Sequence, residues 1–237
     1  MKSLTIVPCY NENIETVQDV VNRTKKYVDE VLVIDDGSKV PVKLKNCIVL
    51  RNEPNKGKGF SLIRGFEYAK KNKFDVLITL DSDGEHFPEE IPLFLDKINK
   101  YDFVVGQRKV YRNFKRKALN YFATFWFMLL IPGIRDMYCG FRAINVDKLK
   151  SMEVGDSDFE LEPEMLLEAF KKRISIGFVD IKTEPVEKTH LTFKNYLRTN
   201  DMYDRWILEN YKYLGLWKKL VLMPSACIGL LISKILK

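Results

Sequence analysis

"VLITLDSDGEHFPEE" (residues 76–90) joins an apolar run of β-formers directly to two aspartates one residue apart, followed by Gly84, Glu85 and His86. A short unbroken apolar run is what a strand covered on both faces of a parallel sheet requires. The runs 4–7, 31–34, 47–50 and 103–105 have the same character. Between them, Ile14, Val17, Val21 and Val28, then Leu62, Ile63, Phe66 and Ala69, then Ile91, Phe94, Leu95 and Ile98 keep helical spacing. Strands alternating with helices predict an α/β fold with a mostly parallel sheet flanked by helices.

In such a sheet the ligand meets the carboxyl ends of the strands. The residues there are Tyr10, Asn11 and Glu12 after the first run, Asp35 and Asp36 after the second, and Asp81, Ser82 and Asp83 after the fourth. Two carboxylates flanking a serine can converge on one hard cation, Mg2+ or Mn2+, that leaves room for substrate phosphates. A turn whose carboxylates cap backbone amides is the simpler alternative for DSDG, and a β-turn for Asp35 and Asp36. The segment "NEPNKGKGFSLIRG" (52–65) opens a helix with Gly57, Lys58 and Gly59, yet has neither Walker nor dinucleotide spacing. Its glycines either admit a phosphate at a helix start or only allow a tight loop.

The chain has 237 residues, 46% of them hydrophobic, enough for one full core, and its net charge of +7 suits phosphate-bearing partners or an anionic membrane. Cys9, Cys47, Cys139 and Cys227 are far apart, without zinc or disulfide spacing. The N-terminus runs straight into a strand-like stretch with no signal-peptide pattern, so a cytoplasmic position is expected.

PCYNE (8–12), DDGS (35–38), NKGKG (55–59), DSD (81–83) and RDMYCGFRA (135–143) occur in an order that resembles the inverting GT-A glycosyltransferases of family 2. Within that family the chain is similar to the polyprenyl-phosphate glycosyltransferases typified by dolichyl-phosphate mannose synthase, over roughly the first 190 residues. The resemblance implies a Rossmann-like GT-A sheet and transfer of a hexose, GDP-mannose being favoured as donor, to a polyprenyl or dolichyl phosphate at the cytoplasmic membrane face. It further implies that Pro8, Tyr10, Asn11, Glu12, Asp35, Asp36 and Lys58 hold the nucleotide sugar together with Asp81, Ser82, Asp83 and Glu85. Asp81 and Asp83 are then the metal ligands and, with Arg135 and Asp136, the catalytic set. Arg116, Arg135, Cys139 and Arg142 fall to the acceptor phosphate.

Two positions depart from the family pattern: Glu85 stands where glutamine is commoner, and Cys139 replaces a serine, so one hydroxyl donor is missing. Phe159, Glu160, Leu161 and Glu162 resemble an acidic segment facing the acceptor, and His190 lies in a late loop, "EPVEKTHLTFKNY" (184–196), that resembles one folding over the donor. The basic cluster Arg108, Lys109, Arg112, Lys115, Arg116 and Lys117 precedes an aromatic stretch that the family uses as interface helices, 110–134. The last segment, "LGLWKKLVLMPSACIGLLISKILK" (214–237), is short for a bilayer span and fits an interfacial helix. The expected division is therefore a GT-A domain, 1–195, and a membrane-associating tail, 196–237. Rival readings are transfer to a saccharide or protein hydroxyl, with Glu160, Glu162 or Asp136 as base, and a noncatalytic nucleotide-binding module. Nucleic acid is not an expected partner, because carboxylates gathered at strand ends repel a phosphate backbone.

Overall fold

A computed structural model of the chain describes residues 1–109, 114–155, 161–184 and 193–235. Seven strands, β1 (Ser3–Cys9), β2 (Glu30–Asp35), β3 (Ile48–Arg51), β4 (Val76–Thr79), β5 (Phe103–Arg108), β6 (Arg142–Asn145) and β7 (Ile176–Ile181), form one sheet in the order β3-β2-β1-β4-β6-β5-β7. Neighbours pair in parallel except β6, which runs antiparallel to both β4 and β5. The expected mostly parallel sheet is present. The two strands absent from the sequence reading, β6 and β7, lie in its second half.

Alternation along each strand builds the two faces. Leu4, Ile6, Leu32, Ile34, Leu77, Phe103 and Val105 point to one side, where Leu62, Phe66 and Ala69 of α2 (Lys58–Lys71) cover them. Val7, Val31, Val33, Val76, Ile78 and Val104 point to the other, against α1 (Ile14–Thr24) and α3 (Ile91–Lys97). Asn13 starts α1, its side-chain oxygen accepting from the amides of Glu15 at 2.8 Å and Thr16 at 3.2 Å. That satisfies two of the donors a helix start leaves open.

The first face extends beneath α4 (Phe114–Leu130), the short α5 (Val146–Leu149), α6 (Leu161–Lys171), α7 (Phe193–Glu209) and α8 (Leu216–Ile235). The expected domain boundary at 195/196 falls inside α7. Tyr203, Trp206 and Ile207 of α7 and Leu222 and Ala226 of α8 are buried in the same core as the sheet, so this tail packs as part of the domain. None of the described helices is long and apolar enough to cross a membrane.

Because β1, β2 and β4 are adjacent and parallel, their carboxyl ends meet at one edge. The antiparallel β6 begins there, with Arg142 opposite Thr79. Strand β5 also ends there, three residues beyond the expected Val105, and delivers Gln107 and Arg108.

Two measurements test this packing. Leu222→Ala should cost about 2–4 kcal/mol in chemical denaturation, as for a core leucine, whereas a detached tail would show no change. Asp204 on α7 is pushed up to about 7 by burial and then by Asp201. An acid raised in the folded state contributes stability below its unfolded value, about 3.9, and loses it as pH rises through about 7. Asp204→Asn should therefore raise Tm by about 2–4 °C at pH 8 and leave it unchanged at pH 4, read by thermal unfolding.

Candidate active site

Asp81 follows the end of β4, where the Leu80 amide donates to the Ile6 carbonyl at 3.1 Å and holds the chain beside β1. The Thr79 hydroxyl donates to the Gly140 carbonyl at 2.6 Å, tying β4 to the 135–142 loop. Gly140 is required by proximity: a Cβ there would sit 2.7 Å from both carboxylate oxygens of Asp81. Two motifs 60 residues apart thus close around one carboxylate.

The Lys58 ammonium, at the first turn of α2, lies 2.8 Å from Asp81 Oδ1 and 2.8 Å from Glu162 Oε1. Burial opposes ionisation of Asp81, but the Lys58 ammonium outweighs it and holds the carboxyl well below the usual range. Asp83, which accepts from the Glu85 amide at 2.9 Å, is pushed up to about 6 by burial and by the neighbouring Asp81. His86 is buried and kept neutral by that burial; its Nδ1 has no hydrogen-bond partner and lies 3.7 Å from Asp81 Oδ2.

A second cation balances the other half of the cluster. Arg108 grips Asp136 through Nε at 2.5 Å and Nη2 at 3.0 Å, and its Nη1 lies 3.3 Å from Glu85. Arg108 was read as part of a basic surface, yet it is an internal counter-ion. Its place at the end of an apolar run is the signal that marks it.

The nucleotide-side residues divide. Tyr10 is exposed, and Asn11, with φ of 54°, takes a hydrogen bond from the Lys39 amide at 2.8 Å, while Pro8 and Glu12 are half-buried beside them. Ser82 is buried between the two aspartates. Asp35 and Asp36 are turned inward instead of outward. Asp35 accepts from the amides of Ser38 at 2.9 Å and Val42 at 3.1 Å and pairs with Arg51. Asp36 accepts from Asn52 Nδ2 at 2.8 Å and from the amides of Lys56 at 3.0 Å and Gly57 at 2.8 Å. These contacts are the turn-building alternative, and they organise the loop that positions Lys58.

The acceptor-side residues divide likewise. The Arg135 amide donates to Gln107 Oε1 at 2.6 Å, while its exposed guanidinium pairs with Asp180 of β7, which also lies 3.6 Å from Lys109 Nζ. Arg142 faces inward: it donates to the carbonyls of Cys139 at 2.8 Å, Glu162 at 2.5 Å and Met137 at 2.6 Å, and is buried. Cys139 is buried as well, its Sγ 3.9 Å from His86 Nε2, and burial followed by Asp136 pushes its thiol up to about 12. Neither presents a donor to an external phosphate in this arrangement. Arg112, Phe159, Glu160 and His190 lie outside the described residues, as do the side chains of Lys115, Arg116 and Lys117. Gln107, Asp180 and the Glu162–Lys58 contact were not anticipated.

Residues 5–152 match the description Glycosyl transferase family 2. The chain belongs to that family. It is a glycosyltransferase, and its sheet is the GT-A sheet. An uncharacterised protein of Methanocaldococcus jannaschii is 31% identical over 82% of this chain and 94% of its own length. The UDP-N-acetylglucosamine–dolichyl-phosphate N-acetylglucosaminyltransferase of Methanococcus voltae is 29% identical over 75% and 84%. The undecaprenyl-phosphate mannosyltransferase of Micrococcus luteus is 29% identical over 65% and 70%. Among solved structures, glucosyl-3-phosphoglycerate synthase of Mycobacterium tuberculosis, crystallised with Mn2+, UDP and glucosyl-3-phosphoglycerate, superposes with a TM-score of 0.68 over 89% of this chain and 80% of that one, at 16% identity.

The residues present fit a divalent cation. Asp81 and Asp83 are hard oxygen donors, and burial together with the neighbouring Asp81 resists ionisation of Asp83, a cost that a bound cation would offset. Among the described residues no group of three His, Cys, Asp or Glu is placed to hold a metal ion, so a cation on these two carboxylates would take its further ligands from phosphate oxygens and water.

Gly140→Ala should displace the Asp81 carboxylate and lower sugar transfer by at least about 100-fold while the protein stays folded, checked by turnover alongside circular dichroism.

Proposed function

We propose that the enzyme transfers a hexose, with GDP-mannose the favoured donor, to the phosphate of a polyprenyl or dolichyl lipid at the cytoplasmic membrane face. The observation that carries this reading is how the carboxylates among the described residues are committed. Glu162 is tied to Lys58, and Asp136 and Glu85 to Arg108. A hydroxyl acceptor needs a carboxylate base. A phosphate acceptor does not, since its second pKa of about 6 leaves the attacking oxygen ionised at neutral pH. An exposed arginine, Arg135, beside Lys109 on the acceptor side supports the same choice, because a guanidinium fork matches phosphate geometry.

In this reading Tyr10, Asn11 and Glu12 receive the nucleotide, and Asp81 and Asp83 would hold Mg2+ or Mn2+. The metal supplies positive charge as the diphosphate departs. Arg135 orients the acceptor phosphate, so that its oxygen approaches the anomeric carbon opposite the leaving group and configuration inverts. Arg142 and Gly140 set the shape of the loop that carries Arg135. Related proteins whose names specify undecaprenyl-phosphate, dolichol-phosphate and polyprenol mannosyl transfer support the lipid acceptor and the mannose.

The surface supports a membrane position. On α8, Leu216, Trp217, Leu220 and Val221 are exposed at i, i+1, i+4 and i+5, next to Lys218 and Lys219, and Tyr121 and Phe125 of α4 are exposed too. An apolar and aromatic strip bordered by lysines suits the interface of an anionic bilayer.

Labelled sugar incorporation into extractable lipid tests the reaction. With GDP-mannose, polyprenyl phosphate and Mn2+, label should enter the lipid and disappear with EDTA. Label from UDP-N-acetylglucosamine alone would reassign the donor, and label confined to a saccharide acceptor would reject the lipid reading. Asp83→Ala should lower transfer by at least about 1,000-fold, and Arg135→Ala should raise the lipid KM about tenfold with the donor KM unchanged.

A further inference from the structure

We propose that Lys58 is an internal stand-in for the divalent cation, holding Asp81 until the metal displaces it. The inference rests on the reading of Asp81 and Asp83 as metal ligands and concerns what occupies that charge position beforehand.

Three observations carry it. The ammonium lies 2.8 Å from Asp81 Oδ1, an oxygen a metal would use, and 2.8 Å from Glu162 Oε1, bridging two carboxylates as a cation between anions does. Elsewhere around Asp81, Oδ2 faces His86 Nδ1 at 3.7 Å and Gly140 packs close to both oxygens, while the side chain as a whole stays 23% exposed. A metal approaching Asp81 Oδ1 therefore meets the ammonium. Finally, only the side chain needs to move. The backbone of Lys58 opens α2, which is anchored by the buried Gly59, Ser61 and Leu62, whereas a lysine stem rotates readily.

Two positive charges do not share one carboxylate oxygen at contact distance, so metal and ammonium compete. When the metal binds, Lys58 leaves Asp81. It remains within reach of the donor diphosphate that arrives with the metal and becomes a second cationic contact for it. Glu162, at the start of α6, loses part of its partner in the same step. The exchange thus links the metal side of the site to the element that carries the acidic segment.

Mn2+ binding to the full chain without nucleotide, measured by titration calorimetry, tests the competition. Lys58→Met should bind Mn2+ about tenfold more tightly than wild type, because the competing charge is gone. Its Tm should be lower without metal and recover on adding Mn2+. Equal or weaker binding by Lys58→Met would overturn the stand-in role while leaving the metal reading intact. Absence of Mn2+ binding in both proteins would overturn both. Amine acylation of wild type, read at Lys58 by mass spectrometry, gives a test without a variant: saturating Mn2+ should speed modification at least several-fold, and an unchanged rate would reject the exchange.

Discussion

Five carboxylates, those of Asp81, Asp83, Glu85, Asp136 and Glu162, are drawn to one edge of a sheet; Lys58 and Arg108 pair with all of them but Asp83, while the buried Arg142 is committed to backbone carbonyls. That imbalance is the constraint on which the rest depends. Burying like charges side by side is costly unless each finds a partner or a proton. The protein distributes the two cations unevenly: Lys58 stabilises the ionised form of Asp81, Arg108 takes Asp136 and Glu85, and Asp83 is left as the carboxyl whose ionisation is resisted. Burial and the neighbouring Asp81 are what resist it, so a cation reaching the DSD turn would relieve Asp83 most.

The fold supplies that arrangement by direction alone. Adjacent parallel strands release β1, β2 and β4 at a common edge, and the single reversed strand, β6, brings the 135–142 loop back to it. Were β6 parallel, that loop would open at the opposite edge, far from Asp81. The antiparallel insertion is therefore what joins the DSD motif to the 135–142 loop, with Gly140 as the point of contact.

This explains what could and could not be read in advance. The runs 4–7, 31–34 and 76–80 are unbroken and β-branched, so their strands and the polar residues after them were legible. Strand β6 is only "RAIN" and follows a motif read for its charges, while β7, "IGFVDI", mixes buried and exposed positions and contains a glycine. Residue type placed Asp81 and Asp83 correctly at a strand end, but type alone does not say which way a carboxylate turns. Asp35 faces amides of its own loop and Asp36 those of the loop that leads into α2, which only the folded backbone reveals. Arg108 and Arg142 look like surface cations in the sequence, and both become internal because buried acids or carbonyls surround them. The tail divides in a way residue type does not show: Leu222 and Ala226 close the core, while Leu216, Trp217, Leu220 and Val221 at its start are exposed.

The two departures from the family pattern meet in this network. Glutamate at position 85 adds a negative charge, and Arg108, already bidentate to Asp136, lies 3.3 Å from it. Cysteine at position 139 removes a hydroxyl, but the structure turns that side chain away from solvent, against His86 and so close to Gly106 that a Cβ there would come within 2.9 Å of its sulfur. A weakly polar thiol suits that dry pocket, where a serine hydroxyl would lose its hydration and need a new partner. Both changes thus shift the polar work outward. With Arg108 and Arg142 committed to internal acceptors and Cys139 buried, Arg135 is the cation the 135–142 loop still presents at the surface, held there by Gln107 through its backbone and by Asp180 through its guanidinium. An anion bound on this side would have to share that guanidinium with Asp180, so the strength of one exposed ion pair would set how readily such an anion is held there.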